Sequence, residues 1–344
     1  MPEKILVLGP AWVGDMVLAQ SLFKTLKINK PNCIIDVAAP AWTLPLLERM
    51  PEVNEKIALP FKHGELAFWQ RIQFGKRLKN NGYTQSIILT NSFKSALLPW
   101  AAGILKRTSF LGEVRYGLIN DIRQLDKIKL KKTVERFVTL GLDKDTSLPK
   151  TIPNPQLNTA PEAAWILASR LGILKERNNA DNKNKILGLC PGAEYGKAKR
   201  GPAEYYAEVA NAVLKLGWQV LLFGSDKDVP ITSLINALTQ NKCIDLGGKT
   251  KLGEAIDVMS ICDTVISNDS GLMHVAAALN KNLIAIFGSS DPYHTPPMSK
   301  KAVIEYLNVD CSPCFKRECP LAGDEHLKCL KNIKPIRINQ HIFA

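Results

Sequence analysis

Short, uninterrupted apolar runs alternate with longer amphipathic stretches along the whole chain. Ile5-Leu6-Val7-Leu8, Cys33 to Ala38, Ser86 to Thr90, Ile186 to Cys190, Gln219 to Phe223, Thr264 to Ser267 and Leu283 to Phe287 are such runs. Their length and continuity predict strands buried on both faces of a parallel sheet. Between them, Met16 to Lys27, Glu65 to Lys79, Pro161 to Leu171 and the stretch from Pro202 to Leu216 are predicted helices. Weaker strands are predicted near Lys56-Ile57-Ala58 and Cys243 to Leu246, whereas Arg107 to Arg136 reads as irregular, with Gly112 to Gly117 a loop and Lys127 to Lys132 a solvated basic run. The alternation predicts an α/β protein of doubly wound parallel sheets. Pro149, Pro153, Pro155 and Pro161 stand among few large apolar residues, so a linker is predicted at about 143–161. Two domains are therefore expected, residues 1–160 and 161–344, facing each other across a central cleft with no close sequence repeat between them.

Two of the predicted strand-to-helix turns carry chemistry. Thr264-Val265-Ile266-Ser267 runs into Asn268-Asp269-Ser270-Gly271 and then into the apolar segment from Leu272 to Leu279. Such a turn points unpaired helical N–H groups out of the carboxyl edge of the sheet, where the dipole also favours an anion such as a diphosphate. The same residues also suit a plain N-cap. His274 lies one turn into that helix. The other turn, Gly9-Pro10-Ala11-Trp12-Val13-Gly14-Asp15, has a Gly-x4-Gly spacing, yet Asp15 stands where a P-loop needs a lysine. A carboxylate there repels phosphate; it suits a general base or a helix-capping acid.

Composition narrows the class. The 344 residues are 46% hydrophobic and 22% charged, an ordinary globular balance with room for two cores. No apolar run reaches the ~18 residues of a membrane span, and Met1-Pro2-Glu3-Lys4 leads into too short an apolar segment for a signal peptide. A cytoplasmic protein is expected. The net charge is +13, and between Lys62 and Arg136 fifteen Lys or Arg face five Asp or Glu. That excess suits nucleic acid, an anionic membrane surface or a polyanionic substrate. No helix-turn-helix, RNP-type or zinc-finger pattern accompanies it, which disfavours nucleic acid.

Four of the eight cysteines form Cys311-x2-Cys314-x4-Cys319-x9-Cys329. They read either as a structural metal or thiol cluster or as reduced cysteines in a loop. Cys33, Cys190, Cys243 and Cys262 sit in apolar settings and are expected in the core. The histidines at 63, 274, 294, 326 and 341 make no metal-ligand spacing with one another.

Taken in order, Gly9 to Met16, Asn91-Ser92-Phe93-Lys94-Ser95-Ala96, Arg115 to Asp121, Cys190-Pro191-Gly192-Ala193-Glu194-Tyr195-Gly196 and Asn268 to His274 closely resemble the lipopolysaccharide inner-core heptosyltransferases, glycosyltransferase family 9. The resemblance runs from about residue 3 to residue 297. It implies a GT-B fold of two Rossmann-like domains. It also implies inverting transfer of heptose from ADP-L-glycero-D-manno-heptose to the first heptose of the growing core, without a cofactor or a catalytic metal. Carried over by residue, it places the catalytic carboxylate on Asp15, the phosphate-binding lysine on Lys199, and the diphosphate and sugar site on Asp269, Ser270, Gly271 and His274. Asp228 is expected on the ribose by analogy with nucleotide folds, with Asp226 its rival. The chain departs from the family's Lys-Arg-Trp-Pro at Gly201. The implied acceptor is an anionic glycolipid at the inner leaflet of the inner membrane, which gives a peripheral protein with Lys62, Lys94, Arg115 and Arg123 as candidate acceptor contacts. The alternatives are another nucleotide-sugar enzyme of this fold, whether a different core-sugar transferase or an epimerase, and a nucleotide- or nucleic-acid-binding protein without catalysis.

Overall fold

The computed structural model describes residues 2–62, 64–173 and 185–343. The chain divides into two compact units, Met1–Pro155 and Gln156–Ala344. In the first, strands β1 (Lys4–Leu8), β2 (Ile34–Pro40), β3 (Glu55–Leu59), β4 (Gln85–Ile88), β5 (Lys106–Phe110) and β6 (Asp121–Arg123) form a parallel sheet in the order β3-β2-β1-β4-β5-β6. In the second, β7 (Ile186–Cys190), β8 (Gln219–Leu222), β9 (Ile244–Asp245), β10 (Thr264–Asn268), β11 (Asn282–Ile286) and β12 (Ala302–Glu305) take the order β12-β11-β10-β7-β8-β9. Both sheets wind outward from their first strand in both directions. Each is a Rossmann-like, doubly wound sheet with its switch point between the first and fourth strands, the place where such sheets bind ligands beyond the carboxyl ends.

The apolar runs form the central strands because these are covered on both faces. Ile5, Leu6 and Val7 of β1 are fully buried, and Ile186, Leu187 and Leu189 of β7 likewise. The helix Val13–Asn29 follows β1 and buries Met16, Leu18, Leu22, Phe23 and Leu26; each such side chain stabilises the fold by roughly 1.5–3 kcal/mol. Gly9 leaves room for the end of the Met16 side chain, since a Cβ there would stand 2.6 Å from Met16 Cε.

Three strands are absent from the sequence-based expectation. β5 carries Lys106, Arg107, Thr108 and Ser109, and β6 is three residues long. Their polar groups are satisfied within the sheet edge. Thr108 Oγ1 donates to Asp121 Oδ2 at 2.8 Å, and the Arg107 guanidinium caps the carbonyls of Ile104 and Leu118. β12 ends in Glu305, 2% exposed, which pairs with Arg337 and, at 2.6 Å, with His341 of the helix Pro335–Phe343. That contact ties the last helix to the second sheet.

Candidate active site

The switch point of the first unit is framed by the turns after β1 and β4. Asp15 is the third residue of the helix Val13–Asn29 and is half-buried. The helix dipole favours an acidic residue there whatever its function. After β4, Asn91-Ser92 leads into the helix Phe93–Ala101, which presents Lys94, half-buried, in its first turn.

Glu113 and Arg115 hold that second turn. Glu113 Oε2 accepts from Phe93 N at 2.7 Å, and Glu113 N donates to Asn91 O at 3.1 Å. Gly112 lies so close that a Cβ would meet Asn91 O at 2.2 Å. Arg115 donates to Thr90 O at 2.8 Å, Ser109 Oγ at 3.0 Å and Phe110 O at 2.5 Å. The two motifs at 91–96 and 115–121 are thus one assembly.

The structure places two of the acceptor candidates inside the unit. Arg115 is 0% exposed and Arg123 6% exposed, the latter bidentate on Asp121 and bonded to Leu142 O. Both are internal braces, and neither offers its charge to an acceptor at the surface. Lys62, by contrast, is exposed. Arg115→Ala removes the guanidinium donors of Thr90 O, Ser109 Oγ and Phe110 O, so an expected loss of about 3 kcal/mol should appear in denaturant unfolding. An unfolding midpoint equal to the wild type would contradict this bracing role.

The switch point of the second unit gathers the donor candidates. Lys199 ends a short 3-10 turn, Lys197–Lys199, in the loop after β7. Asp269-Ser270-Gly271 follows β10 and opens the helix Gly271–Ala278. Lys199 Nζ donates to Asp269 Oδ2 at 2.5 Å, and Ser290 Oγ, from the loop after β11, donates to the same oxygen at 2.5 Å. Lys199 Nζ also lies 5.1 Å from the centre of the Tyr195 ring. Asp269 is 5% exposed, and Ser270 and Gly271 are half-buried at the helix start, where Ser270 makes no side-chain cap.

His274, one turn into the helix, is 5% exposed and its Nδ1 has no hydrogen-bond partner. Burial depresses its pKa to about 4, with Asp269 pulling it up and Lys199 pushing it down by smaller amounts. The imidazole is neutral at pH 7. Because the folded value lies below the ordinary 6.5, the unfolded chain takes up the proton first as pH falls. The stability this residue contributes is present above pH 6.5 and is lost as pH drops toward 4, by about 3 kcal/mol in all. Urea unfolding of wild type and His274→Asn across that window should show the wild type losing more stability by about that amount. Parallel pH dependences would contradict it.

Asp228 is largely buried in the turn after β8. Its Oδ2 accepts from Ser225 N at 3.0 Å and Ser225 Oγ at 2.8 Å, while Oδ1 faces Arg200 at 3.2 Å. It is 8% exposed and packs against Gly192, where a Cβ would meet its carboxylate at 2.4 Å. Asp228 braces the loops after β7 and β8, and Asp226 is the carboxylate of this turn that stays exposed. At Gly201 a Cβ would make an ordinary 3.4 Å contact with Tyr206, so nothing at that point forbids a side chain.

Two residues outside the sequence-based candidates complete the site. Asn268 accepts from Tyr206 at 2.9 Å and from Gly201 N at 3.3 Å, and donates to Pro191 O at 2.6 Å, which locks the lysine loop to β10. Ser290 shares Asp269 with Lys199. The Gly288-Ser289-Ser290 turn after the Leu283 to Phe287 run was the signal for it, since β11 neighbours β10. Cys33, Cys190, Cys243 and Cys262 are buried core residues; Cys311, Cys314, Cys319 and Cys329 are free thiols gathered elsewhere in the unit. His63 lies outside the described residues.

A lysine, free helical N–H groups and a neutral imidazole around one buried carboxylate can receive a diphosphate and its sugar. Comparison with known proteins gives the same direction. The family model "Glycosyltransferase family 9 (heptosyltransferase)" matches residues 71–323. The chain is 46% identical to lipopolysaccharide heptosyltransferase 2 of Escherichia coli K12, over 99% of this chain and 98% of that one. It is 43% identical to lipooligosaccharide heptosyltransferase 2 of Haemophilus ducreyi, over 98% of each chain. The solved structure of E. coli ADP-heptose LPS heptosyltransferase II matches with a TM-score of 0.86 and 40% identity, covering 99% of this chain and 98% of that one. With its two Rossmann-like units in GT-B architecture, the chain belongs to glycosyltransferase family 9, the heptosyltransferases.

Proposed function

We propose that the chain moves L-glycero-D-manno-heptose from ADP-heptose to the first heptose of heptosyl-Kdo2-lipid A, with inversion at the anomeric carbon and without a catalytic metal. The observation that carries this reading is the Lys199, Asp269, Ser290 and His274 cluster at the switch point of the second unit, beside the open start of the helix Gly271–Ala278. In this reading the first unit supplies the base and the second the donor site.

Asp15 takes the proton from the acceptor hydroxyl as its oxygen bonds to the anomeric carbon. The bond from that carbon to the β-phosphate oxygen breaks, and ADP leaves as the diphosphate. Lys199, the N–H groups at the helix start and the neutral His274 meet the developing negative charge, so no acid is needed on the leaving group. Asp269 holds Lys199 in place and serves the sugar hydroxyls, with which a carboxylate pairs better than with phosphate. Asp226 is the carboxylate left to contact the ribose.

Lys62 and Lys94 remain the candidate contacts to the phosphates and acidic sugars of the acceptor. No helix among the described residues is long and apolar enough to cross a membrane. The acceptor and the excess of basic residues between Lys62 and Arg136 support a peripheral position at the cytoplasmic face of the inner membrane. Calorimetric titration with ADP and UDP in moderate salt tests the donor half. ADP should bind and UDP should bind much more weakly or not at all; preference for UDP would overturn the ADP-heptose assignment.

A further inference from the structure

Cys311, Cys314, Cys319 and Cys329 come from a stretch with little regular structure, yet all four line a single pocket of about 60 Å³. Cys329 is 8% exposed, the others are half-buried, and none is in a disulfide. Ser289 also lines this pocket; it is 2% exposed and its Oγ has no hydrogen-bond partner. A buried hydroxyl left unpaired is costly, and this one lies in the wall that the four cysteines share. The Leu327 N–H already donates to Cys319 Sγ at 3.3 Å. Four thiols, one of them accepting from a backbone amide, with an unpaired hydroxyl in the same wall, are a donor set suited to a tetrahedral thiolate centre.

As the side chains stand, no three His, Cys, Asp or Glu groups among the described residues are gathered closely enough to hold an ion. Assembly of the site therefore requires the sulfurs to draw closer together, the usual coupling of site formation to metal binding. We propose that Cys311, Cys314, Cys319 and Cys329 bind one thiophilic divalent cation, zinc or ferrous iron, as a structural centre that fixes the 311–319 loop against the turn carrying Lys199.

The loop is placed for that task. Cys314 N and Phe315 N donate to Ser289 O at 3.1 and 2.7 Å, next to the Ser290 that holds Asp269. Phe315 O accepts from Tyr195 at 3.0 Å, and Arg317 O accepts from Ala198 N at 3.0 Å, one residue before Lys199. Gly196 lies so tightly on this loop that a Cβ would meet Arg317 O at 2.3 Å. The ion thus acts through positions 195–199, remote from the bonds that break. The metal site stands independently of the proposed reaction, and only its link to the donor turn rests on that reading.

Full-length protein purified without chelator and without a metal-affinity column should carry about one zinc or iron per chain by elemental mass spectrometry, which also says which ion it is. Chelator-stripped protein should take up Zn²⁺ in competition with a chromophoric chelator, and C311S/C314S should not. Absence of metal together with no Zn²⁺ uptake by the wild-type chain would overturn the site, and so would alkylation of all four thiols at the free-cysteine rate in the presence of Zn²⁺. ADP affinity, measured on loaded and stripped wild type, should fall severalfold on stripping. Equal affinities would overturn the link to the lysine turn. If neither form binds ADP, the donor assignment fails while the metal stoichiometry still decides the site.

Discussion

Asp15→Asn is expected to lower the transfer rate by about 10²–10⁴-fold, the usual contribution of a positioned general base, and to leave ADP affinity essentially unchanged. Asparagine keeps the size of the side chain and is tolerated in the first turn of the helix Val13–Asn29, so the packing of Met16, Leu18 and Leu22 beneath it is undisturbed. What is lost is the ability to accept a proton from the acceptor hydroxyl. Single-turnover transfer and ADP calorimetry on the same preparation separate the two quantities. A variant with near-normal turnover would remove the base assignment. A variant that also loses ADP binding would show that Asp15 acts on the donor.

Lys199→Ala is expected to weaken ADP binding and to lower kcat/KM by about 10²–10³-fold, because the cation that meets the leaving diphosphate is gone. The change has a second consequence. Asp269, 5% exposed, loses its ion pair and keeps Ser290 as its donor, so a buried carboxylate is left without its counter-charge. Lys199→Ala combined with Asp269→Asn separates the effects. If restoring electrostatic balance recovers folding stability but not ADP affinity, the lysine serves the phosphates. If both recover, the pair is structural and the phosphate role falls.

The central strands were legible because burial on both faces leaves an unbroken apolar run, as in β1 and β7, and because the turns after them are rich in glycine. The polar strands β5 and β6 were not, although the edge strands β3 and β9 were. β5 and β6 are built from Lys106, Arg107, Thr108, Asp121 and Arg123, whose polar groups pair with one another only once the sheet has formed. The same difficulty decided Arg115. In sequence it belongs to a basic stretch and reads as surface, but its acceptors at Thr90, Ser109 and Phe110 are brought to it by the adjacency of β4 and β5. Of the donor site, the Asn268 to His274 turn could be read from one strand-to-helix motif. The Gly288-Ser289-Ser290 turn was visible too, but that Ser290 reaches Asp269 and that Asn268 braces Pro191 depends on a neighbouring strand contributed by another part of the chain.

The most direct test of the account is transfer itself. The purified chain is incubated with ADP-L-glycero-D-manno-heptose and heptosyl-Kdo2-lipid A in the presence of a chelator for free magnesium and manganese, and the acceptor is followed by mass spectrometry with the new linkage assigned by NMR. The account predicts addition of one heptose to the first heptose, with anomeric configuration opposite to that of the donor and stoichiometric release of ADP. Retained configuration, or ADP release without a heptosylated acceptor, would contradict it.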